Sequence, residues 1–192
     1  MGCSVVIPAA GNSGRMGRPK FALPFKGDIT FIEELTSRYI GWGSGEIVIV
    51  LNPEGLKVFN NLNIDLSDTV KIVINKQPAS GRLFSVKTGF ASLEDRSCVF
   101  VHNVDNPFVS DDVLNALFNS VAGFDFVYPV YNGRGGHPVL LTEKVIEDIL
   151  SNEYPDRNFR DILKGFTGGK VKVDFEKVTV NINTTDEYKR MH

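Results

Sequence analysis

Ser4-Val5-Val6-Ile7-Pro8-Ala9-Ala10-Gly11-Asn12-Ser13-Gly14-Arg15-Met16-Gly17-Arg18-Pro19-Lys20 opens as an apolar run and passes directly into a glycine-rich, basic segment. The run is short, β-branched and bounded by breakers, which reads as a strand. Similar runs follow at 46–51, 70–74, 98–101 and 124–130. Each is nearly continuous in apolar character, as expected of strands covered by helices on both faces. Between them the apolar spacing becomes helical. Thr30 and Glu33 form a capping box ahead of Ile32, Leu35, Tyr39 and Ile40, with Gly41 as the expected stop. Leu83, Val86, Phe90 and Leu93 repeat that spacing. So do Val113, Leu114, Leu117, Phe118 and Val121, behind Ser110 as N-cap and the dipole-favoured Asp111 and Asp112. The alternation predicts a mostly parallel, three-layer α/β/α domain of Rossmann-like type.

The last third is less regular. Val171, Val173 and Phe175 alternate with charged residues, and Val178, Val180 and Ile182 alternate in the opposite phase. This predicts two strands with a bulge or turn at Glu176-Lys177. Thr184 and Glu187 form a second potential capping box before a short terminal helix. No repeat or linker divides the chain, so residues 1–192 are expected to form one domain.

The formal net charge of −2 gives no reason to expect nucleic acid, so any anion site must be a local cluster. No apolar stretch is long enough to span a bilayer and no secretory signal opens the chain, which predicts a cytoplasmic protein without membrane partners. Cys3 and Cys98 sit in apolar runs and read as two buried, unpaired thiols.

The glycines at 11, 14 and 17 remove Cβ atoms and permit positive φ, so backbone N–H groups can close around a phosphate. Arg15 offers a planar fork to phosphate oxygens, and Lys20 a compact charge for the α-phosphate. A surface loop rich in glycine is the alternative, but the position after a strand, where open α/β sheets bind ligands, weighs against it. Two familiar loops fail on spacing. Gly17-Arg18-Pro19-Lys20 lacks the Gly-Lys-Ser/Thr of a Walker A segment, and G-x-x-G-x-x-G is not the dinucleotide fingerprint. An NAD(P)-dependent oxidoreductase is therefore disfavoured.

The run PAAGNSGRMGRPK followed by FALPF resembles the signature of the nucleotidyltransferases related to molybdenum cofactor cytidylyltransferase, approximately L-A-A-G-x-S-x-R-M-G-x-P-K. The resemblance implies a glycosyltransferase-A-like fold, the nucleotide-diphospho-sugar transferase type. It implies an NTP substrate, magnesium (Mg2+) and pyrophosphate release. It makes Arg15 and Lys20 the catalytic candidates and places Ala9, Ala10, Gly11, Asn12, Ser13 and Gly14 at the nucleotide.

Other segments fall in matching order. Residues 99–107 form an apolar strand ending at Asp105 before Pro107. A carboxylate there can meet the loop after the first strand, and magnesium needs only one or two protein oxygens beside phosphate. Asp105 could also be a turn former; the family's G-D-x-P, here Val104-Asp105-Asn106-Pro107, implies the metal ligand. Asn181-Ile182-Asn183-Thr184 resembles the family's D-I-D-T with both acids replaced by amides, which makes Asn181 or Asn183 the second candidate ligand. Asn75 leaves a strand for a helix start whose free N–H groups suit a nucleotide. Gly81 and Ser85 match family positions that read base and ribose, while Arg82 is a departure that adds positive charge. Arg134, Gly136 and His137 lie in a segment resembling G-x-x-G-H-P-V near the acceptor pocket, although a lone histidine is more commonly structural. Arg160 falls in a segment whose family members are smaller, and it is the remaining acceptor candidate.

These readings converge on transfer of NMP from an NTP, CTP or GTP, to a small phosphorylated acceptor such as molybdopterin, with a partner enzyme receiving the product. A sugar- or alditol-phosphate nucleotidyltransferase is one alternative. A catalytically silent nucleotide-binding chaperone or regulatory module is another.

Overall fold

In chain order the elements are β1 (Ser4–Pro8), the hairpin β2 (Pro24–Lys26) and β3 (Ile29–Thr30), α1 (Phe31–Trp42), β4 (Ile47–Leu51), α2 (Pro53–Asn60), β5 (Val70–Ile74), α3 (Gly81–Ala91), β6 (Cys98–Val101) and α4 (Asp111–Ser120). They continue with β7 (Phe126–Tyr131), β8 (Arg134–Gly135), β9 (Val139–Thr142), α5 (Glu143–Ser151), α6 (Phe159–Leu163), β10 (Gly168–Lys172) and α7 (Thr185–Met191). The structure is a computed structural model and describes residues 2–11, 16–62, 64–154 and 157–191.

The main sheet runs β10-β7-β9-β6-β1-β4-β5, with β8 paired to β7. β6, β1, β4 and β5 are mutually parallel, β9 is antiparallel to its neighbours, and β7 and β10 return to the first direction. The expected mostly parallel α/β/α arrangement is therefore present.

Strand alternation divides the core in two. Val5, Ile7, Ile47, Ile49 and Phe100 face Phe31, Leu35 and Tyr39 of α1 and Leu114 and Leu117 of α4. Val6, Val48, Val50, Val99 and Val101 face Val86 and Phe90 of α3 and Val145, Ile146 and Ile149 of α5. Near-continuous apolar strands are what two covered faces require. Gly89 lets α3 approach the sheet, since a Cβ there would collide with Val6.

The local signals act as expected at several points. The Thr30 hydroxyl accepts the Glu33 N–H while the Glu33 carboxylate takes the Thr30 N–H, closing the capping box. Helix α1 runs on past Gly41 and stops at Gly43, whose φ of 92° supplies the left-handed cap. The β7–β8 hairpin turns on Asn132 and Gly133, with φ of 46° and 80°, the double positive φ of a two-residue turn. Among the described residues no helix is long and apolar enough to cross a membrane.

Two expectations are corrected. Cys3 and Cys98 are not separate thiols but a disulfide, their Cα atoms 4.9 Å apart. The register that sets Ser4 against Val99 brings the residues just before them side by side. The alternating segment after 170 is not two strands either. β10 ends at Lys172, Glu176–Thr179 is a 3-10 turn, and residues 180–184 carry no strand. The segment from 178 to 182 is held instead by single contacts, Ile182 N–H to Asp105 C=O at 2.7 Å and His137 N–H to Val178 C=O at 2.8 Å.

Candidate active site

β1, β4 and β6 are parallel neighbours, so the turns that leave them share one edge of the sheet. The turn after β1 is fastened at its root. The Ala9 N–H donates to Val50 C=O, and the Asn52 side-chain amide donates to Ala10 C=O, both at 2.8 Å. The other end of the Asn52 amide caps α2, accepting the Gly55 N–H at 2.6 Å. Ala9 and Ala10 are buried and Gly11 is exposed at the mouth. Asn12, Ser13, Gly14 and Arg15 lie outside the described residues. Asn52 was missed in the sequence. Its signal was there, an Asn before Pro53 at the end of a strand.

Lys20 opens a 3-10 turn anchored by the buried Phe21 and Ala22. Its ammonium lies 2.7 Å from Asn183 Oδ1 and 3.4 Å from Asp105 Oδ2. Residues from three distant parts of the chain therefore meet at one point. Asp105 follows β6, as expected, and its C=O takes the Ile182 N–H, which ties the segment before α7 to the same place. The Glu187 carboxylate caps that helix, accepting the N–H groups of Asn183 and Thr184 at 2.7 and 2.9 Å, and those contacts lower its pKa. Tyr188 completes the fastening, its hydroxyl donating to Pro24 C=O at 2.8 Å. Of the two amides read as metal candidates, Asn183 reaches Lys20, whereas Asn181 is exposed.

On the neighbouring β5 edge, Asn75 is fully buried. Its amide donates to Ser85 Oγ at 2.9 Å and its carbonyl oxygen accepts the Gln77 N–H at 2.7 Å. Asn75 thus shapes the turn that presents the start of α3. Gly81, at φ 82° and ψ −178°, sits where only glycine is at ease. Arg82 extends from that start, its guanidinium 5.8 Å from the centre of the Phe159 ring. Asp105 and His137 both feel its charge.

The acceptor candidates separate by burial. Arg134 on β8 and Arg160 on α6 are exposed. Gly136 is required by close approach, because a Cβ would collide with Val178 C=O. His137 Nε2 lies 2.9 Å from the Asn103 amide, and its ring stacks on that of His102 with centroids 6.3 Å apart. His102 Nδ1 meets the buried Tyr39 hydroxyl at 2.8 Å. Burial pushes both histidines down to about 3, with the positive charge of Arg82 adding to it at His137, so both rings are neutral at pH 7. Among the described residues, Asp105 Oδ1, His102 Nε2 and His137 Nδ1 are buried without a hydrogen-bond partner.

A family model described as the MobA-like NTP transferase domain matches residues 5–180. The molybdenum cofactor cytidylyltransferase of Escherichia coli (strain K12) is 25% identical over 95% of this chain and 92% of its own. A probable molybdenum cofactor guanylyltransferase of Clostridium perfringens is 29% identical over 96% of this chain and 93% of its own. Nicotine blue oxidoreductase of Paenarthrobacter nicotinovorans is 28% identical over 83% and 80% respectively. The crystal structure of Rv0371c from Mycobacterium tuberculosis H37Rv shares the fold, with a TM-score of 0.82 at 19% identity, covering 100% of this chain and 97% of that one.

Proposed function

The chain belongs to the MobA-like NTP transferase family and is a nucleotidyltransferase; from that premise we propose that it transfers NMP from an NTP to a small phosphorylated acceptor, with CTP as donor and molybdopterin as acceptor. GTP is the other donor, in keeping with the guanylyltransferase name of one relative. The observation that carries the reading is the convergence of Lys20, Asp105 and Asn183 beside the turn after β1. A buried carboxylate oxygen without a partner suits a hard cation, so Asp105 fits magnesium. When bound, the ion would neutralise charge on the triphosphate.

The chain's own groups do the rest. Backbone N–H groups of Ala10 and Gly11, presented by the fastened Ala9, hold the triphosphate together with Gly14 and Arg15. Lys20 lies where its ammonium can stabilise charge growing on the α-phosphate oxygens. The turn held by Asn75, with Gly81 and Ser85, receives the nucleoside. Arg134, Arg160 and the wall near His137 orient the acceptor. An acceptor phosphate oxygen attacks the α-phosphorus, the bond to the bridging oxygen of the β-phosphate breaks, and pyrophosphate leaves. That nucleophile is already anionic at neutral pH and needs positioning more than a base. Neutral, buried His137 agrees with that division of labour.

The test is pyrophosphate release from each NTP with Mg2+ and a panel of phosphorylated acceptors, molybdopterin and sugar phosphates included. The expected result is one NTP–acceptor pair giving pyrophosphate and a dinucleotide-type product in equal amounts. NTP binding with no release for any acceptor would instead assign a silent nucleotide-binding module.

A further inference from the structure

Arg82 lies in the first turn of α3, one residue past Gly81, whose positive φ sets the direction in which the helix leaves the β5 edge. Its guanidinium lies 5.8 Å from the centre of the Phe159 ring, and Phe159 is buried where it opens α6. A ring face attracts a guanidinium by cation–π interaction and leaves the N–H groups along its edge able to bind. Among the described residues no side chain takes those groups as a hydrogen-bond or ion-pair partner. Arg82 is also the one described arginine held against an aromatic ring, unlike Arg134 and Arg160. Solvent reaches Arg82, yet enough protein surrounds the guanidinium to lower its pKa, as in a recess. It stays charged all the same, since a guanidinium does not deprotonate in proteins. Two groups of the site lie within its electrostatic reach. The Asp105 carboxylate offsets part of that lowering, and Arg82 adds to the depression of the His137 pKa. The cation is therefore near both the candidate metal ligand and the wall read as the acceptor side.

Transfer to a phosphorylated acceptor brings two anions together, the acceptor phosphate and the α-phosphate. Their repulsion opposes the approach more strongly at a partly enclosed site than in water. Lys20 serves the donor side, and the acceptor side calls for a cation of its own. We propose that Arg82 binds the reacting phosphate of the acceptor, a phosphate monoester, and that Phe159 is the positioning residue that holds its guanidinium. This rests on the reading of the site as one for NMP transfer to a phosphorylated acceptor. One oxygen of the bound phosphate forms the new bond to the α-phosphorus, and pyrophosphate leaves with the electron pair of the broken bond. Arg82 exchanges no proton. Its planar fork can take two phosphate oxygens at once, a geometry that neither lysine nor glutamine reproduces.

Isothermal titration with inorganic phosphate tests this on protein saturated with Mg2+ and the α,β-methylene analogue of CTP or GTP. The analogue fills the triphosphate site, and its bridge cannot break. Wild type, Arg82→Gln, Arg82→Lys and Phe159→Leu are compared, each with its affinity for the analogue and its melting temperature. Wild type is expected to bind phosphate, and Arg82→Gln to bind it about tenfold more weakly. Arg82→Lys should fall between them, and Phe159→Leu should lose about threefold. Both Arg82 variants should keep the wild-type affinity for the analogue and the wild-type melting temperature. Arg82→Gln that binds phosphate as tightly as wild type overturns the proposal, as does wild type that binds none beside the analogue. Analogue affinity that falls together with phosphate affinity in folded Arg82→Gln overturns it too, because the arginine then serves the donor nucleotide. If neither analogue binds wild type, the site reading itself fails, and that outcome is distinct from the others.

Discussion

The two ends of the central sheet are built from the same strands and treat polar groups differently. At the amino end of β1 and β6, Cys3 and Cys98 are bonded, the Ser4 hydroxyl donates to Asp95 C=O at 2.8 Å, and Lys71 bridges Glu46 and Glu94 at 2.7 and 2.8 Å. Among the described residues two buried oxygens there lack a hydrogen-bond partner, Ser44 Oγ and Glu46 Oε1, and the second is met by the Lys71 ammonium. At the carboxyl end, Asn52, Asn75, His102, Asn103 and Asn106 are all buried, and oxygen or nitrogen atoms of Asp105, His102 and His137 have no partner among the described residues. Burying polar atoms unpaired costs stability, roughly 1–3 kcal/mol each. An end that closes its polar groups holds the fold together. An end that leaves them open, beside a convergent lysine and aspartate, is shaped for a ligand.

The largest effect should come from breaking the carboxyl end alone. Lys20→Ala and Asp105→Ala are each expected to lower turnover by about a thousandfold, near 4 kcal/mol of barrier. Their urea midpoints should stay close to wild type, because the pair is partly exposed, with 17% and 25% of the side chains accessible. Steady-state kinetics beside equilibrium unfolding would show it. A loss of stability as large as the loss of activity would erase the distinction between the two ends.

The amino end should answer in the opposite sense. Reducing the Cys3–Cys98 bond removes a cross-link spanning 95 residues of chain, which typically costs about 2–4 kcal/mol. Denaturant curves with and without reductant should separate by that amount while turnover stays the same. Reduction that stops turnover in a still-folded protein would tie the disulfide to the site.

What could be read from the sequence follows the same division. β1, β4, β5 and β6 declare themselves because burial on both faces needs continuous apolar residues, and the capping boxes of α1 and α7 rest on contacts three residues apart. Lys20 and Asp105 were legible through their motifs and through a rule about strand ends. The Cys3–Cys98 bond was not, because it depends on which strands become neighbours. The 178–182 segment misled for a physical reason. Val178 and Ile182 are buried, as in a strand, but their backbone partners are His137 N–H and Asp105 C=O, two single contacts in place of a ladder. Apolar residues at alternate positions of a sequence do not by themselves place a chain in a sheet. The choice between Asn181 and Asn183 was equally closed to pattern reading, since both belong to the same short motif and only the reach of Lys20 separates them.

The smallest expected effect tests the cost of the carboxyl end through pH. His102 and His137 are held near 3 in the fold, first by burial, with the positive charge of Arg82 adding to it at His137. Unfolded, each would titrate near 6.5. The unfolded chain therefore binds protons that the folded chain refuses. The stability of the neutral pair is whole above pH 6.5 and drains away as pH falls toward 3. The slope should approach about 1.4 kcal/mol per pH unit for each histidine. The window from pH 6.5 to 4.5 isolates them, because Asp125, Asp161 and Glu187, whose pKa values are lowered, give up their contributions below it. His102→Gln keeps a neutral acceptor for Tyr39 and removes one titrating group, so its urea midpoint should fall about half as steeply with acid. A wild-type midpoint that stays flat across the window would mean that the buried histidines take up protons in place. The open polar groups at this end of the sheet would then carry no stability cost from those two rings.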